Sequence, residues 1–376
     1  MVRRTLRRGG LTGAVAAAKV LASGVATALV LTSSTVATAA PAPATPVWRV
    51  PVEPNGNGEH LTVASDGTLV YFTGIDGVTA VDARTGEQRW AYVGKRPEFG
   101  GYAPVAVGEG VVVTGRQHSF RASEVVVLDA ATGAARWSTT MRTLYRAIPA
   151  AGMITFETAG ASPTGGRSVW TYPAAGAAEP AWTHYDVIAG PLDGGLILAG
   201  SAALDQRTGQ VLWSHPDLRR YYPLALSPDG SRAAGFGLYD NTARVMQTAT
   251  GTIGWQLEFS DDLVAAADDG DQVYLLPADD DDQLTAVDAV SGAVRWRRPM
   301  QPGTFRTEGQ VAARAGNLFI REHQRCYVRE ARSGADRFTP PLTGPCAGLV
   351  LAGDLAVYRD DQGLVAYRQS AQDRSR

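Results

Sequence analysis

Seven aspartates crowd one short stretch of the chain: Asp268, Asp269 and Asp271, then the unbroken run Asp279 to Asp282. Calcium sites are built from carboxylates like these, but they need several oxygens converging on one point. The run precedes the apolar segment Leu284-Thr-Ala-Val287 in a hairpin, where successive side chains diverge, so it reads as a solvated turn and no metal ligand is assigned. The five histidines, His60, His118, His184, His215 and His323, are scattered without a paired metal spacing. No Gly-x-Ser-x-Gly nucleophile turn is present. The segment Gly160-Ala-Ser-Pro-Thr-Gly-Gly166 lacks the lysine and the following helix that a phosphate-cradling loop requires. No catalytic residue is assigned from these patterns.

The first forty residues differ from the rest. Arg3, Arg4, Arg7 and Arg8 precede a small, apolar stretch to Leu31, and Ala37-Thr38-Ala39 has the pattern of a signal-peptidase site, with cleavage between Ala39 and Ala40. The alternative is an uncleaved anchor, since Leu11 to Leu31 is long enough to span a bilayer. Lys19 lies near its middle, where a charge costs about 3 kcal/mol. Paired arginines also suit twin-arginine export, though Arg7 stands where that signal needs an apolar residue. No cysteine adjoins the cleavage site to carry a lipid. Removing residues 1–39 takes five of the 35 Lys+Arg (the four arginines and Lys19) and no acid. That leaves 30 against 37 Asp+Glu, a net of about −7. With no basic stripe, nucleic acid and anionic membranes are not expected partners. The reading is of an extracellular, secreted protein with no membrane span after processing.

A repeated pattern organises the remainder: apolar-x-Asp-Ala-x-Thr-Gly-x-x-x-Trp. It occurs as Val81 to Trp90, Leu128 to Trp137, Leu204 to Trp213 and Val287 to Trp296. Val245 to Trp255 has Gln247 for the acid, and Arg329 to Phe338 has Glu330 for Asp and Phe for Trp. A stretched copy runs from Trp170 to Trp182, with Gly176 in the turn. Short apolar runs such as Val78-Thr-Ala-Val81 and Val125-Val-Val-Leu128 fit half-buried strands. The acid can accept bonds from turn N–H groups, while Gly tolerates positive φ. The following Trp lies on the next strand, where its face can stack on the turn or on a neighbouring unit. Another strand pair, such as Leu69-Val-Tyr-Phe72, precedes each unit. Four short strands per unit of about 42 residues is the arithmetic of a propeller blade.

Seven units close on an aromatic residue. An eighth set of strands (Leu349 to Leu351, Leu355 to Tyr358 and Leu364 to Tyr367) has no closing Trp strand, whereas Val47 to Val50, carrying Trp48, has no strands before it. Pairing these ends would complete an eighth blade and remove an open edge. The expected architecture is all-β, an eight-bladed propeller over residues 47–370. A signal peptide (1–39), a Pro/Ala linker (40–46) and a disordered tail (371–376) complete the chain. Cys326 would begin the third strand of blade seven and Cys346 would precede blade eight, on the same face. An exported location permits a disulfide between them, with free thiols or a metal as alternatives. Trp48, Trp90, Trp137, Trp182, Trp213, Trp255 and Trp296 are expected as docking residues between blades, not as a carbohydrate-stacking platform.

These units resemble the PQQ-like (quinoprotein-type) β-propeller repeat, in which tryptophans form a docking girdle. The family includes quinoprotein dehydrogenases and non-catalytic scaffolds. The dehydrogenases stack PQQ on a disulfide between neighbouring cysteines and hold calcium with carboxylates. This chain has no neighbouring cysteine pair and is shorter, so no cofactor is expected. It is similar to the BamB-type propellers of outer-membrane barrel assembly in repeat and blade count, but without their lipid anchor. The resemblance therefore implies an exported, non-catalytic, monomeric scaffold that binds another extracytoplasmic protein or a ligand. A small quinoprotein or sugar-acting enzyme with a site in the central channel is the alternative.

Overall fold

The computed structural model describes residues 45–52, 63–74, 77–94, 106–119, 122–159, 167–185, 189–191, 195–199, 201–218, 221–237, 241–259, 263–278, 283–300, 309–322, 325–340, 342 and 346–368. Its strands fall into eight four-stranded antiparallel sheets, the blades of a β-propeller. Blade one runs through Val63–Ser65, Leu69–Thr73, Gly77–Asp82 and Gln88–Val93. Six further blades repeat this meander, and the eighth contains both ends of the chain. There Trp48–Pro51 joins Gly348–Ala352, Leu355–Asp360 and Gly363–Arg368, in the pairing read from the two orphaned ends. Its register sets Trp48 opposite Ala366 and Val50 opposite Leu364, and the Val47 N–H reaches the Ala366 carbonyl at 2.8 Å.

The first strands of neighbouring blades touch one another, placing them innermost, around the central channel. The repeat places the strand one–two and three–four turns of a blade on one face, here the turn face. Strand two–three hairpins and passages to the next blade open on the other, the crossover face.

Apolar packing follows the ring. Among the described residues there are eight buried apolar clusters, one at each junction between blades. Tyr71, Val78, Ala80 and Trp90 of blade one, for example, meet Val112, Val126 and Leu128 of blade two. Because each middle strand is covered on both sheet faces by neighbouring blades, Val125 to Leu128 is wholly buried, where the sequence suggested half-burial. The two-sided cover explains the unbroken apolar run. Outer strands bury little besides the Trp, which is buried in Gln88–Val93 and Val294–Pro299 and half-buried in Ala135–Met141 and Val211–Ser214. Blade four is the small one. Its strands, Ala189–Pro191, Leu196–Ala199, Ala202–Asp205 and Val211–Ser214, have three or four residues each, against seven in the first three strands of blade three. Its closing tryptophans, Trp182 and Trp213, are correspondingly close, 31 residues apart.

Candidate functional site

On the turn face, the repeated polar residues brace the strand three–four turn of each blade that carries them. The Asp82 carboxylate accepts the N–H groups of Arg84 and Thr85 at 2.9 and 3.1 Å, and Asp129 does the same for Ala131 and Thr132. Asp205 and Asp288 repeat the arrangement. An arginine seven residues on closes three of these turns: Arg89 and Arg136 each lie 2.7 Å from their Asp, and Arg295 pairs with Asp288. Donors aimed at the ionised form hold these acids down. The Arg89 guanidinium does this chiefly for Asp82, and Arg136 brings Asp129 to about 2.

Each docking tryptophan bonds to the next blade. The indole N–H donates to a carbonyl just after that blade's acid or its equivalent. Trp48 reaches Ala83 at 2.9 Å, Trp90 reaches Ala130, Trp137 reaches Ala174 and Trp182 reaches Gln206. Trp213, Trp255 and Trp296 reach Thr248, Ala289 and Ala331. The ring face lies against the turn glycine. A Cβ on Gly133, at φ +72°, would sit 2.5 Å from the Trp90 ring. Glycine is required there both for the left-handed backbone and for the close approach.

The other sequence candidates do not converge. Asp268 is buried against Arg232 at 3.3 Å, and burial raises its carboxyl pKa despite that partner and the Gly270 N–H. Asp269 accepts two backbone N–H groups and the Tyr274 hydroxyl at 2.6 Å. Among the described residues no three His, Cys, Asp or Glu side chains are grouped to hold a metal. Asp279 to Asp282, His60, His323, the Gly160 to Gly166 segment and the Ala39/Ala40 cleavage site lie outside the described residues. His184 packs edge-on against Trp182, and His215 lies 3.9 Å from Asp217. Cys326 and Cys346 form a disulfide, both residues buried in the cluster between blades seven and eight.

One polar cluster stands apart, at the crossover end of blades three to five. Arg167 opens the third strand of blade three and pairs with Glu157, whose side chain has no solvent exposure. The Arg167 guanidinium carbon lies 4.5 Å from the centre of the Tyr145 ring. Next in sequence, Arg146 bonds to the Tyr222 hydroxyl and lies 4.7 Å over that ring. Tyr222 belongs to blade five, so the pair spans blade four, whose inner strand has only three residues. Sequence reading missed all five residues. Only the short blade-four spacing hinted that blades three and five could meet.

A model described as outer membrane protein assembly factor BamB, built on PQQ-type repeats, matches residues 32–216, 199–345 and 237–376. The chain belongs to this family. No curated protein matches the sequence. Among solved structures, BamB from Moraxella catarrhalis aligns with a TM-score of 0.61 at 15% identity, covering 88% of this chain and 99% of its own. The computationally designed protein Ika8 aligns at 0.63 and 14% identity, covering 85% and 100%. Sqt1 of Saccharomyces cerevisiae aligns at 0.62 and 13%, covering 87% and 99%. At these identities the structural likeness is one of fold. It joins the repeat match in giving a BamB-like propeller.

Proposed function

We propose that the chain is an exported, non-catalytic scaffold that binds another extracytoplasmic protein through its crossover face. One observation carries the reading: the repeated carboxylates and indoles are engaged in turns and blade junctions, while a stacked arginine–tyrosine patch bridges blades three and five. Arg and Tyr are the side chains that dominate protein interfaces, offering large rigid contact area with a polar tip. Export is supported by the basic, apolar N-terminus and suits the disulfide. Cleavage after Ala39, the linker 40–46, the propeller limits 47–370 and the tail 371–376 belong to the same proposal. Among the described residues no helix is long and apolar enough to cross a membrane.

The test is chemical crosslinking in the native culture, followed by purification of the tagged protein. A crosslinked partner lost in Tyr145→Ser/Tyr222→Ser, yet kept in the turn-face variant Arg89→Gln, supports the reading. A partner unaffected by the tyrosine changes contradicts it.

A further inference from the structure

We propose that the Arg167 corner of blade three docks a carboxylate from an acidic polypeptide segment, resting on the scaffold reading above. Arg167 is held from two sides. One guanidinium nitrogen donates to the Glu157 carboxylate, and the Tyr145 ring lies against the guanidinium face. The Arg167 side chain still keeps 37% of its exposure, and Tyr145 keeps 46%. A guanidinium fixed at one corner and stacked on one face presents its remaining N–H edge in a set orientation. That planar fork matches a carboxylate with two parallel bonds.

The Glu157 carboxylate is an expensive anchor. Its side chain is wholly buried, and its second oxygen has no hydrogen-bond partner among the described residues. Burying a charge pair seldom improves stability over an apolar pair of similar size. Orienting Arg167 gives this ion pair a use that packing alone does not.

In the blade-three sheet Arg146 stands opposite Glu157, and Arg167 stands opposite Ala159, two residues further along the same strand, so register sets both cations on the sheet face that carries Glu157. Two guanidiniums then face one buried carboxylate, on a chain whose acids outnumber its Lys and Arg by 37 to 35. The patch crosses blade four and carries an exposed ring beside the cations. It therefore suits a peptide segment, with an aliphatic stem lying on Tyr145, better than a lone small carboxylate.

The experiment is fluorescence anisotropy of a labelled deca-glutamate peptide with the purified protein, with deca-glutamine as comparison. Saturable binding of deca-glutamate alone, weakened at least tenfold in Arg167→Gln and unchanged in Arg89→Gln, is expected. Glu157→Gln separates orientation from net charge. Losing a negative charge would tighten binding if only charge counted, whereas losing the anchor weakens it. Tyr145→Leu, an exposed change that should not disturb folding, is expected to weaken it too. Equal binding of the two peptides, or an Arg167→Gln variant that binds like the parent, overturns the proposal. If that happens while crosslinking still depends on Tyr145 and Tyr222, the docking chemistry is wrong and the scaffold reading stands.

Discussion

At the residue scale, the junction is a tryptophan laid on a glycine. Gly133 and Gly316 have nearly the same φ, +72° and +73°, but only Gly133 faces an indole. Alanine at either position meets the left-handed penalty of about 1 kcal/mol. At Gly133 it must also displace the Trp90 ring, and overpacking of that kind costs a further 1–3 kcal/mol or so. Urea midpoints should therefore fall well below the parent in Gly133→Ala and only slightly in Gly316→Ala. The acids of the same turns set an acid limit. Their folded pKa values are depressed, so their contribution is full above the ordinary carboxylate range near 4 and is lost as pH falls. Asp129, at about 2, keeps its contribution well below the ordinary range. Melting temperature should decline between about pH 4 and pH 2. In Asp82→Asn/Asp129→Asn the decline should be shallower, from a lower start.

At the scale of the element, one blade junction differs from the other seven. Blade seven ends on Phe338 in place of Trp, and blade eight has no continuous strand three–four turn, because the chain termini meet there. The same junction carries the Cys326–Cys346 disulfide, a bond from Arg321 to the Ala347 carbonyl at 3.0 Å, and one from the Leu349 N–H to Gln310 at 3.1 Å. The crosslink thus supplies a tie where the tryptophan lock is missing. It closes a separation of 20 residues, for which loop entropy predicts about 3 kcal/mol. Cys326→Ser/Cys346→Ser should lose hydrogen-exchange protection first in Gly309–Arg314 and Gly348–Ala352, with blades two to five little changed. Uniform loss around the ring would contradict this assignment.

The same scale shows what could be read in advance. The Asp–Gly turn, the Trp and the split blade were legible because each repeats or pairs with a visible gap, and local chemistry alone dictates the turn. The arginine before the Trp in Arg89, Arg136 and Arg295 was also in plain view, and its spacing from the acid could have revealed the pairing. The Arg146–Tyr222 and Arg167–Glu157 pairs were not. Each occurs once, and Arg146–Tyr222 also joins strands 76 residues apart and depends on the blade between them being short.

At the scale of the whole molecule, each blade turns its outer strand to solvent as an edge, and these strands carry charged residues such as Arg89, Arg295 and Arg297 that discourage pairing with another sheet. A ring made by repeated turns and tryptophans needs no cofactor to hold it, although quinoproteins share its repeat. PQQ would need a chamber with stacking surfaces and cationic or metal contacts to its three carboxylates. Here the two cysteines are joined across blades as a buried staple, not set side by side as a stacking surface. Calorimetric titration of the purified protein with PQQ, with and without calcium, tests the scaffold account most directly. The account predicts no saturable heat under either condition. One-to-one binding at micromolar concentration or tighter would contradict it and make the protein a quinoprotein.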